Sequence, residues 1–380
     1  MNAGTPTAED RWARSARALV VGSGGIGGCI AVRLACSGER NLVAVTGNDE
    51  ITTAVSQHGL RARLIDGERV ARLDVTTTPA GAAARGQYDL AILAVPPNRI
   101  EQAAADVGAL LTDDGVFVSL ANGLPEERLT RRFGGDRVVG AIVGFGASML
   151  GPGLVEQTSE GGLVIGRLDG RNDVAARRVS AFLRPVEPSP SLDEPFFNLT
   201  ENLRGARWSK LAINCAISSL GTIGGDRLGA LMRHRFVRRL ALEVMTEATQ
   251  VAVGHGVRLE KLSGMLDLEW IALDPDERLQ QGSPSLFAKH TVLLAVGARY
   301  RRLRSSMLSA IERGREPPVD FLNGEVVERA AAVCVPAPVN AAVVTAIKAI
   351  ARGDLPSSLA TLQRLFDETR PVLRRIRLAA

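Results

Sequence analysis

A chain of 380 residues, 46% apolar and 23% charged, has room for two domains of ordinary size and is too apolar to stay disordered along its length. No heptad or Gly triplet persists, and only four scattered cysteines occur (Cys29, Cys36, Cys215, Cys334), which excludes a coiled coil, a collagen and a disulfide miniprotein and points to a reducing cytosol. The net charge of +5 comes from 46 basic residues, almost all Arg, interspersed with 41 acids, so no nucleic-acid partner is expected.

Apolar runs break after about a dozen residues, short of the ~20 that span a bilayer, and no membrane segment is expected. Residues 1–16 mix Glu9, Asp10, Arg11 and Arg14 without an apolar stretch, so they read as a polar extension rather than a secretion signal. A cytoplasmic location follows as the expectation.

From residue 17 onward short β-rich runs alternate with helical stretches, the pattern of a parallel sheet wound with crossover helices. A strand over 18–21 leads into Gly22-Ser23-Gly24-Gly25-Ile26-Gly27 and a helix that runs to Ser37 and stops at Gly38. A second strand covers 42–46, and the Asp66-Gly67 pair flanked by β-like runs predicts a hairpin. Buried strands follow at 89–95 and 116–120, the latter entering Ala121-Asn122-Gly123-Leu124-Pro125, with a helix over 126–132. Residues 151–170 read as sheet-edge strands and 171–183 as a helix. Four prolines between 185 and 195 mark a linker, placing a dinucleotide-binding domain at 17–195.

The second half is helical in pattern, with candidates at 207–220, 228–254, 285–313 and 319–333, giving a helical substrate domain over 196–352. The fold class is thus an α/β Rossmann-type parallel sheet domain followed by a mainly α-helical domain. A tail over 353–380 carries an amphipathic helix at 357–376, read first as a cap on the body; packed on another subunit instead, it would make a homodimer.

The G-x-G-x-x-G run lies where a dinucleotide site requires it, after a buried strand and at the start of a helix. Gly22 permits the tight turn, Gly24 lets backbone approach a pyrophosphate, and Gly27 lets helix lie close on strand, so Gly22, Ser23, Gly24, Gly25, Ile26 and Gly27 are the expected cofactor contacts. The second strand ends Thr46-Gly47-Asn48-Asp49, with neither a carboxylate at its tip for an NAD ribose nor an Arg for an NADP phosphate. Asn48 is the candidate contact there, and these residues leave the choice of cofactor open.

In the second half Lys210, Asn214 and Ser218 recur at i, i+4 and i+8 on one helix face. A solvent face would carry Glu, Arg or Gln, whereas Asn and Ser flanked by Ile and Cys point to a polar cleft. Lys210 is also one of only four lysines. The four histidines, His58, His234, His255 and His290, are spaced too widely for a metal set, and no metal is expected. Cys29 and Cys36 read as small core residues, Trp208 as core packing at the domain junction, and 244–253 as plain bundle helix.

Taken in order, the glycine motif, Leu120-Ala121-Asn122-Gly123, Trp208-x-Lys210-x-x-x-Asn214, Arg304-Ser305-Ser306-Met307-Leu308, Gly314-Arg315, Val319-Asp320-Phe321-Leu322-Asn323-Gly324 and Pro336-x-Pro338-Val339-Asn340 resemble the ketopantoate reductases (2-dehydropantoate 2-reductases) over about residues 18–352. The resemblance implies a Rossmann domain and a helical domain that hold NADPH and a 2-oxo acid, with a role in pantothenate biosynthesis. It implies Lys210 as the catalytic lysine, Asn214 as a substrate contact, Asn122 as the asparagine near the nicotinamide and Ser306 as the serine on the substrate. The chemistry agrees, because hydride addition to a ketone builds an alkoxide that an ammonium in reach can stabilise and protonate. NADP is favoured over NAD on this ground.

Departures from the family pattern bear on the substrate. Pro318 stands where a Glu binding the substrate hydroxyl is usual, Pro96 and Pro97 where a Lys is usual, Ser218 where many members have a second Asn, and Gly47 where an Arg meets the NADP phosphate. Residues 254–304 also form a longer stretch than in compact members. The expectation is a reductase of a 2-oxo acid more apolar or larger than ketopantoate, its carboxylate met by Ser305 or Ser306. The alternative is a nucleotide-binding sensor or scaffold of the same fold that has lost turnover.

Overall fold

The computed structural model describes residues 6–187, 197–261, 266–279 and 282–379, which divide into two compact units, 1–204 and 205–380. Pro195 and most of the expected linker lie outside the described residues.

The first unit runs α1 (Ala8–Ser15), β1 (Arg17–Val21), α2 (Gly25–Cys36), β2 (Asn41–Val45), α3 (Asp49–His58), β3 (Leu60–Leu64), β4 (Gly67–Ala71), β5 (Asp74–Thr76), α4 (Pro79–Ala83), β6 (Tyr88–Leu93), α5 (Ile100–Gly108), β7 (Leu111–Ser119), α6 (Pro125–Phe133), β8 (Val138–Val143), β9 (Ala147–Gly151), β10 (Leu154–Gln157), β11 (Leu163–Gly166), α7 (Val174–Leu183) and β12 (Phe197–Thr200). Eight strands form one sheet in the order β12-β11-β8-β7-β6-β1-β2-β5, parallel except that β11 runs against β8. Its central strands are apolar without alternation, as strands covered on both faces must be. The chain winds outward from β1 through β2 to β5, then returns to β6 and proceeds the other way. The order therefore reverses between β1 and β6, and ligands of open α/β sheets bind at the carboxyl ends beside such a reversal.

A second sheet, β4-β3-β10-β9, contains the expected Asp66-Gly67 hairpin, with Leu64 paired to Gly67. It covers the face of α2 turned away from the main sheet, so Cys29, Ile30, Ala31, Val32 and Leu34 are buried between two layers. The Arg33 guanidinium ties the layers, donating to Asp66 at 2.8 Å and Gln157 at 3.2 Å.

Several expectations need correction. The N-terminal segment is a folded helix rather than an extension, because Thr7 and Asp10 close a capping box and Glu9 and Asp10 pair with Arg177 (3.2 Å) and Arg184 (2.7 Å) at α7. The first unit reaches beyond residue 195, since β12 pairs in parallel with β11. Cys29 is core, and burial pushes its thiol up to about 12, but Cys36 is exposed.

The second unit holds α8 (Leu203–Gly224), α9 (Leu228–Leu231), α10 (Arg235–Gly254), α11 (Leu268–Ile271), α12 (Pro275–Leu279), α13 (Pro284–Arg299), α14 (Ser306–Glu312), α15 (Asn323–Ala332), α16 (Pro338–Arg352) and α17 (Leu359–Ala379). The helix expected over 228–254 breaks between α9 and α10. The one expected over 285–313 is two, because Leu303 turns back onto the Tyr300 carbonyl and Ser305 caps a new helix. The stretch 254–304 is anchored on α10 by Arg239, which donates to the carbonyls of Glu277 (3.0 Å) and Arg278 (2.8 Å), and within the stretch buried Lys289 pairs with Glu277 at 2.5 Å. The tail helix α17 packs on α10 and α16 of the same chain, burying Leu362 and Leu365.

Candidate active site

The glycine turn separates by geometry into three jobs. Gly22 sits at φ +98°, and a Cβ there would lie 2.7 Å from the Ala94 carbonyl oxygen. A Cβ on Gly27 would lie 2.0 Å from the Gly22 carbonyl oxygen, so this residue sets the approach of α2 to its own turn. A Cβ on Gly25 would lie 2.7 Å from the backbone of Ala147 in β9. Gly24 alone among the four would meet nothing within 4 Å, so its missing side chain leaves space outside the protein.

The first turn of α2 holds no acidic residue and no side-chain cap, so its leading N–H groups face that space. The Ser23 hydroxyl beside it is buried without a protein partner. Bare backbone donors, an orphaned hydroxyl and a helix N-terminus make a fitting seat for a pyrophosphate, and hence for a nicotinamide dinucleotide.

The neighbouring strand ends carry the other first-unit candidates. After β2, Gly47 takes φ +64° and Asn48 caps α3, its side-chain oxygen accepting from Ile51 N–H at 2.9 Å. Asp49 accepts from the Thr77 hydroxyl at 2.8 Å, beside the end of β5. Asn122 is exposed just beyond the carboxyl end of β7, with Gly123 behind it at φ +86°. Ile26 is half-buried in the first turn of α2. Beyond β6, Pro97 is buried and opens a 3-10 turn, so no cation stands at either proline position.

In the second unit Lys210, Asn214 and Ser218 lie on successive turns of α8. Lys210 is 9% exposed, and the Asn214 side-chain nitrogen is buried without a hydrogen-bond partner. An orphaned amide donor one turn from a lysine can take a carbonyl or carboxylate oxygen. The Ser218 carbonyl accepts from the hydroxyls of Thr222 and Ser305, both at 2.8 Å. The Ser305 hydroxyl is also the cap of α14, accepting from Leu308 N–H at 3.3 Å, whereas Ser306 is exposed. The two serines thus differ, with Ser305 holding structure and Ser306 facing outward. Gly221 lets this serine pair close on α8, a Cβ there lying 3.2 Å from that of Ser305. Pro318 opens a 3-10 turn before α15, and Asp320 within it pairs with Lys348 at 2.7 Å.

The stretch 244–253 is more than bundle helix. Glu247 is wholly buried on α10, its Oε1 accepting from Val339 N–H (2.9 Å) and its Oε2 from Asn340 N–H (2.9 Å) and the Asn340 amide (2.7 Å). Asn340 accepts from Asn323 at 2.9 Å, and Asn323 in turn donates to the Cys215 carbonyl at 3.2 Å and accepts from the Ser219 hydroxyl at 2.5 Å. A charged residue interrupting an apolar helix face was the available signal for Glu247. Trp208 is buried within this unit, its ring stacked on His255 with centroids 6.3 Å apart. Among the described residues no group of three His, Cys, Asp or Glu is placed to hold a metal, and no helix is long and apolar enough to cross a membrane.

Comparison with known proteins finds one family over both units. The models described as ketopantoate reductase PanE/ApbA and ketopantoate reductase PanE/ApbA C terminal match residues 18–170 and 202–351. The 2-dehydropantoate 2-reductase of Pyrococcus horikoshii is 27% identical over 322 residues, 84% of this chain and 93% of its own. The crystal structure of the PanE/ApbA family ketopantoate reductase from Ralstonia eutropha JMP134 superposes with a TM-score of 0.71 at 23% identity, covering 89% of this chain and 99% of that one. The ternary structure of D-mandelate dehydrogenase with NADH and anilino(oxo)acetate gives 0.73 at 18% identity, covering 90% and 99%. At these identities the two structures speak for the fold.

Proposed function

Since the chain belongs to the ketopantoate reductase family and is an oxidoreductase of that family, we propose that it reduces the keto group of a small 2-oxo acid to a 2-hydroxy acid, with Lys210 as general acid. The observation that carries this reading is the nearly buried Lys210 one helical turn from the unpartnered Asn214 amide. A reduced nicotinamide dinucleotide, when bound, supplies the hydride. The Gly22–Gly27 turn holds its pyrophosphate through backbone N–H groups and the Ser23 hydroxyl, with Asn48 toward the adenosine ribose and Asn122 toward the nicotinamide. Lys210 Nζ holds the proton that the developing alkoxide takes, and its charge stabilises that oxygen beforehand. Asn214 and Ser218 orient the substrate, and Ser306, outward at the start of α14, is favoured over Ser305 for its carboxylate.

NADPH is favoured over NADH, because Thr46, Gly47 and Asn48 rather than a carboxylate end β2 and the nearest one, Asp49, is engaged by Thr77. Comparing kcat/KM for the two cofactors tests this, and a tenfold preference for NADH would reverse it. At position 318 a proline leaves the hydroxymethyl group of ketopantoate without its usual acceptor, which supports a substrate with a more apolar distal end. Stopped-flow oxidation of NADPH against ketopantoate, 2-oxoisovalerate and bulkier 2-oxo acids is the deciding experiment. Ketopantoate winning by a hundredfold would refute the substrate assignment. Cofactor binding without turnover of any carbonyl would make the protein a sensor instead.

A further inference from the structure

Behind the polar stripe of α8 lies a continuous chain of buried polar groups that the reaction does not use directly. It runs from Glu247 on α10 to Asn340 on α16, to Asn323 at the start of α15, and ends on α8. All three side chains are fully buried. A buried polar chain is tolerated only when its members are satisfied, and apolar residues of similar volume would fill such space as well or better. Its presence therefore calls for an account in terms of geometry.

The polarity of the chain is dictated from its carboxylate outward. Both oxygens of the Glu247 carboxyl accept N–H bonds from Val339 and Asn340, so Asn340 turns its amide nitrogen to Glu247 and its oxygen to Asn323. Asn323 must then donate to Asn340, and its oxygen is left to accept from Ser219. The carboxylate also fixes the start of the chain: α16 has Ala337 at its cap position and no side-chain cap of its own, and Glu247 supplies one from another helix by accepting from Val339 and Asn340. Where the chain reaches α8 it grips Cys215 and Ser219, four residues apart and therefore on one face. Asn214 and Ser218 each precede a gripped residue by one position, about 100° around the helix. The Ser305 hydroxyl holds the Ser218 carbonyl as well.

We propose that Glu247, Asn340 and Asn323 are positioning residues that set the rotation of α8 about its axis, and with it the direction of Lys210, Asn214 and Ser218. The proposal rests on the reading of Lys210 and Asn214 as the catalytic and substrate-binding residues. At roughly 6 Å from a helix axis a rotation of about 10° moves a side-chain atom by about 1 Å, a misplacement that costs catalysis dearly.

Asn323→Leu keeps the branched heavy-atom shape and removes the three hydrogen bonds of that amide, while Ser219→Ala removes one and spares the core. With NADPH and 2-oxoisovalerate, Asn323→Leu lowers kcat by roughly 10- to 100-fold and Ser219→Ala by about threefold, KM for the oxo acid rises, and Kd for NADPH holds. Labelling the four lysines with 13C and 15N gives a signal assignable to Lys210 by its loss in Lys210→Ala, and it shifts in both variants. Unchanged kcat, KM and Lys210 signal in a folded variant would overturn the proposal and leave only core hydrogen bonding. If Asn323→Leu does not fold, Ser219→Ala decides. Should Lys210→Ala turn over at the parent rate, the reading of the lysine fails by itself, and the Lys210 signal still decides whether the relay orients α8.

Discussion

At the turn after β1 the proposed site is made of backbone, whereas on α8 it would be made of three side chains. The turn needs glycine because other side chains would collide with Ala94 or Gly22, and its donors are main-chain N–H groups. The proposed stripe on α8 consists of lysine, asparagine and serine, and by the positioning role inferred above those residues would act only if their helix is held at the right rotation. A backbone site is thus fixed by a few neighbouring residues. A side-chain site depends on partners far along the chain, such as Asn323, which is 108 positions from Cys215.

Breaking each half in turn should show this difference. Lys210→Ala is expected to lower kcat by about 100- to 10,000-fold while Kd for NADPH stays near the parent value; a retained kcat would remove the lysine from the reaction. Gly27→Ala places a methyl 2.0 Å from the Gly22 carbonyl, so it should weaken both cofactor binding and the fold, by about 1–3 kcal/mol in a denaturant titration. Gly24→Ala sharpens the contrast, since its methyl meets no protein atom within 4 Å. Its Tm should hold while Kd for NADPH rises roughly tenfold, about 1.4 kcal/mol of lost binding. A Gly24 variant that binds NADPH normally would argue against a pyrophosphate at that spot. Asn214→Ala should raise KM for the oxo acid more than it lowers kcat, and the reverse split would move it from orientation to chemistry.

The smallest effect concerns two buried titrating groups of the second unit. Burial pushes the Glu247 carboxyl from 4.5 up to about 7, against the pull of its bonds from Asn340 and Val339. Burial, together with the Arg238, Arg235 and Arg239 cations, pulls the His290 imidazole from 6.5 down to about 4. The folded state holds the Glu247 proton more tightly than the unfolded chain does, so that contribution is complete below about 4.5 and fades as pH rises through about 7. It holds the His290 proton more weakly, so that contribution is complete above 6.5 and fades as pH falls toward 4. Between these limits the two oppose each other. Urea unfolding at several pH values should therefore show stability climbing more steeply with pH in Glu247→Gln than in the parent, and less steeply in His290→Leu. Parallel curves for all three would mean that neither group is buried as described.

Local chemistry wrote the strand, glycine turn and helix around Gly22, the hairpin at Asp66-Gly67 and the one-face spacing of Lys210, Asn214 and Ser218 into the sequence. Each needs only periodicity or turn geometry spanning a few residues. Tertiary structure decided the rest. Residues 6–16 became part of the first unit through ion pairs to α7, with Glu9 meeting Arg177 across 168 positions. Ser305 reads as a ligand in its motif and became a cap and a clasp on α8, because Gly221 lets the two approach. The start of α16 takes its cap from Glu247, 92 positions away. Such bonds exist only once the chain has folded back on itself, and so no local pattern announces them.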